Sequence, residues 1–216
     1  MSSLSRRAGP RLALVLLATL AATPAAAQDW KKYENRVLAT PALAGQSVPV
    51  LPLGSYSQDS SIAGDVVLTG WQTRRAATLA YDSLFALYLD DNAPDVRWVP
   101  PTQLARTAQR APGMMTDPYR MGQAALRNLE LTRVPDPLAS RLRSLVAMTD
   151  ARAVLVPANL AFFRDSAAVK AEVTAVLVDA RVNEVKWRTI AIGRGRTPEA
   201  ALRAAFATMV PPELNQ

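Results

Sequence analysis

The last third of the chain constrains the fold most, because its apolar residues alternate in the manner of strands joined by tight turns. Three such runs follow one another, Ala153–Phe163, Val169–Asp179 and Val185–Ile192. Only a few polar residues separate them, and Asn183 in the second connection readily adopts the left-handed conformation of a turn. Two short connections in succession predict an antiparallel three-stranded meander.

The same alternation assigns side chains to faces of these strands. On the first run we expect one face to hold every second residue, namely Val154, Val156, Ala158, Leu160 and Phe162. On the second run the corresponding face holds Val169, Ala171, Val173, Ala175 and Leu177. Trp187 on the third run, and Trp98 on an earlier one, are predicted core residues.

Upstream of the meander the chain predicts two short strands and three helices. The strands lie at 48–53 and 95–99, and a surface loop is expected at 55–64. Spacings of three and four predict helices at 72–90, 100–109 and 137–148, with a weaker helical pattern at 121–129. Asp136 is the expected N-cap of the third helix, and Thr197 begins a closing helix. The order β-α-β-α-α-β-β-β-α predicts a mixed α/β (α+β) fold with helices packed on the sheet.

The first 27 residues have the three-part order of a secretory signal peptide. Basic Arg6, Arg7 and Arg11 precede an apolar stretch that is too short to span a bilayer, and small residues ending at Ala27 follow it. We therefore expect an exported, most simply periplasmic and soluble protein, cleaved after Ala27. Because the chain lacks the cysteine that bacterial lipoproteins carry at this point, we expect no lipid anchor there.

The rest of the chain divides into an arm or linker, 28–46, and a single α/β domain, 47–212. Removal of residues 1–27 takes away three arginines and lowers the formal net charge from +7 to +4. That charge is too small for a nucleic-acid binder, although weak contact with anionic envelope surfaces stays open. Outside the signal region no apolar run reaches the length of a membrane helix. The sequence leaves the oligomeric state open.

The chain contains neither cysteine nor histidine, and this removes most familiar catalytic and zinc sites. A Ser-His-Asp triad, a Cys-His pair and the usual zinc ligand sets all need one of these residues. We therefore predict no enzyme activity and no cofactor. An acidic group, Asp90, Asp91 and Asp95, keeps a cation-assisted hydrolase open as a second alternative, although its spacing matches no calcium loop.

Two further sets of residues are candidates for binding. Gly193-Arg194-Gly195-Arg196 lies where a strand gives way to a helix, and its backbone and two guanidinium groups could hold an anion such as a lipid head group or a cell-wall carboxylate. The alternative is that the glycines only loosen the end of the strand, with the arginines in solvent.

The second set consists of aromatic residues outside the strong core patterns, Trp30, Tyr33 and Trp71. They are candidate interface residues, and the alternative is that they pack on the flank of the domain.

Several stretches of the chain resemble a family of bacterial envelope domains. They are Val50–Leu53 before a long helix, Arg97–Pro101 with Leu104, Asp150–Val156, and Asp179–Trp187. The last resembles the Asp-Ala-x-x-Gly-x-Val-x-Trp hairpin of domains related to the N-terminal domain of TolB, which curli-secretion-lipoprotein-like domains and the lipoprotein activators of penicillin-binding proteins share. Asn183 replaces the turn glycine of that hairpin. The resemblance covers about residues 47–210 and implies protein–protein contact with envelope partners in the periplasm, without catalysis.

Overall fold

The structure is a computed structural model that describes residues 30–212, so the predicted signal region lies outside the described residues. In chain order the elements are β1 (Ser47–Pro49), β2 (Tyr56–Gln58), α1 (Arg74–Asn92), β3 (Arg97–Val99), α2 (Pro101–Arg110), α3 (Leu138–Thr149), β4 (Ala153–Asp165), β5 (Ala168–Asp179), β6 (Glu184–Gly195) and α4 (Pro198–Met209). Short 3₁₀ helices stand at Trp30–Tyr33, Thr40–Leu43, Val66–Leu68, Pro118–Arg120 and Gln123–Arg127. Among the described helices none is long and apolar enough to cross a membrane.

The strands form a mixed sheet, and the predicted antiparallel meander is confirmed. Strands β4, β5 and β6 pair antiparallel in sequence order, and β2 runs parallel to β4 on the other side. Strand β1 pairs parallel with β3, and a bridge from Val50 to Leu155 joins this pair to β4. The mixed α/β class predicted from the sequence is therefore confirmed.

Two apolar layers cover the two faces of the sheet. Helices α1 and α4 pack on the first face, where Tyr81, Phe85 and Phe206 form a ring cluster with centroids 4.8–5.5 Å apart. Helices α2 and α3 contribute Leu104 and Leu142, among others, to a second cluster on the opposite face. The molecule is thus a three-layer arrangement of helices, sheet and helices.

The face assignment predicted for β4 is wrong over half of its length. Val154, Val156 and Ala158 pack in the second cluster, whereas Leu160 and Phe162 pack in the first. A β-bulge between Pro157 and Asn159 inserts one residue and shifts the alternation of the side chains. Strand β5 has no bulge in this part, and its five predicted residues, Val169, Ala171, Val173, Ala175 and Leu177, all face the first cluster as expected.

Three other expectations need correction. Tyr56–Gln58 forms strand β2 within the predicted surface loop, because its backbone pairs with Leu160–Phe162 of β4. The weak helical pattern at 121–129 folds as the 3₁₀ helix Gln123–Arg127. Helix α3 begins at Leu138 with Pro137 as its N-cap, although Asp136 Oδ1 still accepts a hydrogen bond from the backbone of Ser140.

A candidate interaction surface

The second face of the sheet is covered over only part of its area. Beyond the α2–α3 layer, residues of β4, β5 and β6 stand in rows across the strands: Ala161 beside Glu172 and Ile192, and Phe163 beside Lys170 and Arg194. Ile190 lies on the same face of β6. We call these seven residues the open face, although Ala161 itself is buried: Ala161, Phe163, Lys170, Glu172, Ile190, Ile192 and Arg194.

The open face combines apolar side chains with paired charges. Phe163, Ile190 and Ile192 are partly exposed and belong to neither of the two apolar clusters. Lys170 Nζ lies 2.6 Å from Glu172 Oε1 and 5.1 Å from the centroid of the Phe163 ring. One face of an antiparallel sheet can remain in water, but such a face is normally polar. The partly exposed aromatic side chain and the two partly exposed isoleucines are therefore the feature that needs explanation.

Arg188 marks the border between the covered and the open parts of this face. Its side chain is buried, and its guanidinium donates hydrogen bonds to the carbonyl oxygens of Leu126 and Asn128, both at 2.7 Å, and of Leu131, at 2.9 Å. These three bonds hold the 126–131 segment against β6. Nothing in the sequence indicates this role for Arg188.

The N-terminal arm lies along the outer edge of β6. The backbone N–H of Asn35 donates to the carbonyl of Ile190, and the Asn35 side chain accepts from Ile192 N at 2.8 Å. Farther along this edge, Trp187 Nε1 donates to the carbonyl of Val37. The edge of β6 is therefore occupied beside Ile190 and Ile192, which matters because free edges are where other strands add.

The three candidate interface aromatics are not brought together. Trp71 is only 2% exposed, stacks edge-on against Phe162 with centroids 5.3 Å apart, and donates from Nε1 to Glu199, so it packs in the core of this chain. Tyr33 is a half-buried residue of the arm itself, and its hydroxyl donates to the carbonyl of Leu129. Trp30 is also half-buried, at the first described position.

The glycines of the Gly193–Arg196 segment have a packing role in this structure. A Cβ atom at Gly193 would overlap the backbone of Ala201 and Ala205 in α4, and one at Gly195 would lie 2.5 Å from Ala201 N.

The two arginines of this segment are placed differently. Arg194 points to the other face of β6 and pairs with Asp165, with 2.5 Å between Nε and Oδ2. Arg196 is exposed and forms no hydrogen bond or ion pair with residues 30–212. Anion binding by this segment stays a prediction.

That prediction has a direct test in the double variant R194A/R196A. Both side chains are exposed, so we expect the free energy of unfolding to change by less than about 1 kcal/mol. If the segment binds anions, the variant loses affinity for anionic phospholipid vesicles in a flotation assay at low salt. An unchanged affinity removes this alternative.

The acidic group is not assembled into a site. Asp90 and Asp91 stand exposed at the end of α1, and Asp95 is exposed in the turn before β3. Within the part of the chain that the structure describes, no three acidic side chains are close enough to hold a metal ion together. The cation-assisted hydrolase required these carboxylates to converge, and they do not.

A buried carboxyl group was missed at the sequence level. Asp82 of α1 is 6% exposed, its Oδ1 accepts from Leu53 N at 3.0 Å, and the hydroxyl of Tyr119 lies beside its carboxyl group. Burial raises the pKa of Asp82 to about 7. Burial and the neighbouring Asp82 raise the pKa of Tyr119 to about 12. Tyr119 lines a nearby open cavity of about 690 Å³ together with Arg74 and Arg75.

The sequence did contain a signal for the burial of Asp82. The helical spacing from Tyr81 and Phe85 places Asp82 on the inner side of α1.

No family model and no curated protein matches the sequence. Among solved structures, the chain is similar to the LpoB C-terminal domain from Salmonella enterica, at 14% identity over 78% of this chain and 99% of that one, with a TM-score of 0.39. It is also similar to lipoprotein GNA1162 from Neisseria meningitidis, at 18% identity over 69% and 83% and a TM-score of 0.39. A PelC dodecamer from Paraburkholderia phytofirmans matches at 16% identity over 84% and 93%, with a TM-score of 0.36. These similarities are distant and assign neither a partner nor an activity to this chain.

Proposed function

We propose that this protein is an exported, non-enzymatic interaction module of the bacterial cell envelope that binds a protein partner through its open face. The observation that carries the proposal is the group of Phe163, Ile190 and Ile192, which stands on a sheet face and packs in neither core. Exposed apolar groups rimmed by charged residues are typical of protein-binding surfaces.

The occupied edge of β6 supports binding through the face instead of the edge. Strand addition needs a row of free backbone N–H and C=O groups. On β6 such groups are used by the arm at Ile190 and by the 132–134 segment, where Val185 N donates to the carbonyl of Thr132. At these positions the backbone of β6 is already used, whereas the side chains of the open face are not covered.

The composition of the open face indicates the chemistry of the partner. Its centre is apolar and its outer charges, Lys170, Glu172 and Arg194, are all paired within the chain. A partner with an apolar centre and a mixed polar rim can bury Phe163 and Ile192 without desolvating an unpaired charge. A folded protein surface fits this description better than an anionic polymer does.

The envelope location and the lack of catalysis rest on the sequence. The N-terminal pattern of basic, apolar and small residues is typical of export, and the family resemblance implies protein contacts in the periplasm. The absence of histidine and cysteine leaves few routes to catalysis. The kinship with TolB and curli-secretion domains stays a prediction from the resemblance.

The proposal predicts that a charge at the centre of the open face prevents partner binding without unfolding the protein. We expect Ile192→Asp to reduce the partner recovered from envelope extracts about tenfold or more, since burying an unpaired carboxylate in an apolar contact costs more than about 1.4 kcal/mol. Met114→Asp is the matched control, because Met114 is apolar, 64% exposed and remote from β6 in the chain.

The measurement is quantitative capture by the tagged mature chain, alongside the unfolding midpoint of each variant. Equal recovery with wild type, Ile192→Asp and Met114→Asp would contradict the proposed surface. Failure to capture any protein that wild type enriches over an unrelated exported domain would contradict the proposed function itself.

A further inference from the structure

The outward side of helix α1 is apolar, although nothing in residues 30–212 covers it. Leu79 and Leu87 are 48% and 59% exposed on this side. Ser83 is exposed between them, and Ala76, Ala80 and Ala86 are partly exposed. From Ala76 to Leu89 the only charged residue is Asp82, and its side chain is buried on the inner side. So long a stretch of surface helix without one exposed charge is unusual, since surface helices normally present a polar outer face.

The charges at the two ends of α1 are placed against the preference of the helix dipole. Arg74 and Arg75 occupy the first turn and Asp90 and Asp91 the last. A helix by itself favours acidic residues at its start and basic residues at its end. Arg75 and Asp91 are exposed and form no hydrogen bond or ion pair within the described chain. The stability of the isolated helix therefore does not explain this arrangement.

From these observations we infer that α1 pairs with α1 of a second copy of this chain, antiparallel, about a two-fold axis at Ser83. In that arrangement residues equally distant from Ser83 face each other. Leu79 then meets Leu87, Ala80 meets Ala86, and Arg75 meets Asp91 of the other copy. A two-fold contact of this kind is self-complementary and closed, so it gives a dimer and no filament.

The size of the central side chains supports close packing. Ser83 lies at the axis, with Ala86 and Ala80 on either side of it, although Ala80 also packs against the first apolar cluster. Small residues there allow two helices to approach at about 8 Å between axes. The leucines fill the space on either side. A parallel pairing would instead set Arg75 against Arg75 and Asp91 against Asp91, so the charges select the antiparallel direction.

The expected dimer is weak and leaves the open face free. One helix pair buries less than the roughly 800 Å² per partner of a standard interface, so we expect a dissociation constant on the order of 100 µM. Helix α1 packs on the first face of the sheet, whereas the open face belongs to the second. The dimer would therefore present two open faces, and its failure would leave the proposed function standing.

A charge exchange between the helix ends tests the direction and register of the pairing. We expect R75D alone and D91R alone each to weaken the dimer about fivefold or more, since each sets like charges opposite one another. The double variant R75D/D91R recreates the pair with reversed signs and restores wild-type association. Both single changes suit the helix dipole, so weakened association cannot be attributed to a weakened helix. The measurement is sedimentation equilibrium of the mature chain, residues 28–216, up to about 500 µM, above the expected dissociation constant.

A cysteine placed at the two-fold axis gives an independent test, because the native chain contains no cysteine. S83C should form a disulfide-linked dimer under mild oxidation, since the two Cβ atoms face each other at the axis. D90C is the matched control on the same exposed side. In the antiparallel register the two copies of residue 90 lie about 20 Å apart and cannot be linked.

The outcomes separate the alternatives. Linked dimers of S83C but not of D90C, together with rescue by the double charge variant, support the inference. Linking of both variants indicates a parallel or random contact and overturns it. A chain that stays monomeric throughout the concentration range, or that shows no rescue, overturns it as well.

Discussion

Gly193→Ala is expected to lower the free energy of unfolding by more than about 3 kcal/mol, a large loss for the addition of one methyl group. The new Cβ atom would overlap backbone atoms of Ala201 and Ala205. Backbone cannot move aside in the way that the end of a flexible side chain can. Helix α4 must therefore shift away from β6, and Leu202 and Phe206 on its buried side lose part of their packing.

Gly70→Ala is the control for this prediction. Gly70 has a φ of +90° and open space around its Cα, so an added methyl group meets no atom and costs only the backbone strain, about 1 kcal/mol. Both variants are measured by urea unfolding with a shared m-value. Losses of similar size would show that β6 and α4 are not packed as closely as described.

Asp82→Asn is expected to stabilise the protein increasingly as the pH rises. The folded-state pKa of about 7 lies well above the ordinary value of 3.8, because burial disfavours the charged form. Below about pH 4 the neutral carboxyl of Asp82 makes its full contribution to the free energy of unfolding. This contribution is lost as the pH rises from about 4 to about 7, and it stays lost at higher pH. At pH 8 the loss amounts to roughly 4 kcal/mol, from about 1.4 kcal/mol for each pH unit of the difference.

The measurement is the difference in free energy of unfolding between the variant and wild type from pH 4 to pH 8. Other titrating groups contribute to both proteins and largely cancel in the difference. The introduced asparagine can keep the hydrogen bond from Leu53 N through its amide oxygen, so the two proteins should be nearly equal at pH 4. A difference that does not change with pH would contradict the raised pKa of Asp82.

The inward-facing residues of the sheet could be predicted well wherever apolar and polar residues alternate along a strand without a bulge. Strand β5 is regular, so its inward residues could be read directly, and Thr197 caps α4 as expected, accepting from Ala200 N. The inward residues of strand β4 could not be predicted in the same way. Its residues are apolar on both faces, so the bulge beside Pro157 does not interrupt any visible alternation of apolar and polar residues. Strand β2 is short and polar, and its pairing with β4 depends on tertiary contacts.

The candidate surface was harder to predict than the fold. Phe163 and Ile192 resemble core residues in sequence, and they are partly exposed only because the α2–α3 layer does not extend over them. The Gly193–Arg196 segment matches the pattern of an anion site, but a glycine required by a close helix has the same sequence signature as one required by a ligand. Asp82 was hidden because a single acidic residue in a helix is usually solvated.

Site-specific photocrosslinking tests most directly whether the open face binds a protein. A photoreactive residue is placed at Ile192 on the open face and, as a control, at Met114, and the full chain is irradiated in the cells that make it. We expect position 192 to link to one dominant envelope protein, position 114 not to link to it, and Phe163→Asp to abolish the link. Equal linking from both positions, or none at position 192 in folded, exported protein, would contradict binding through this face.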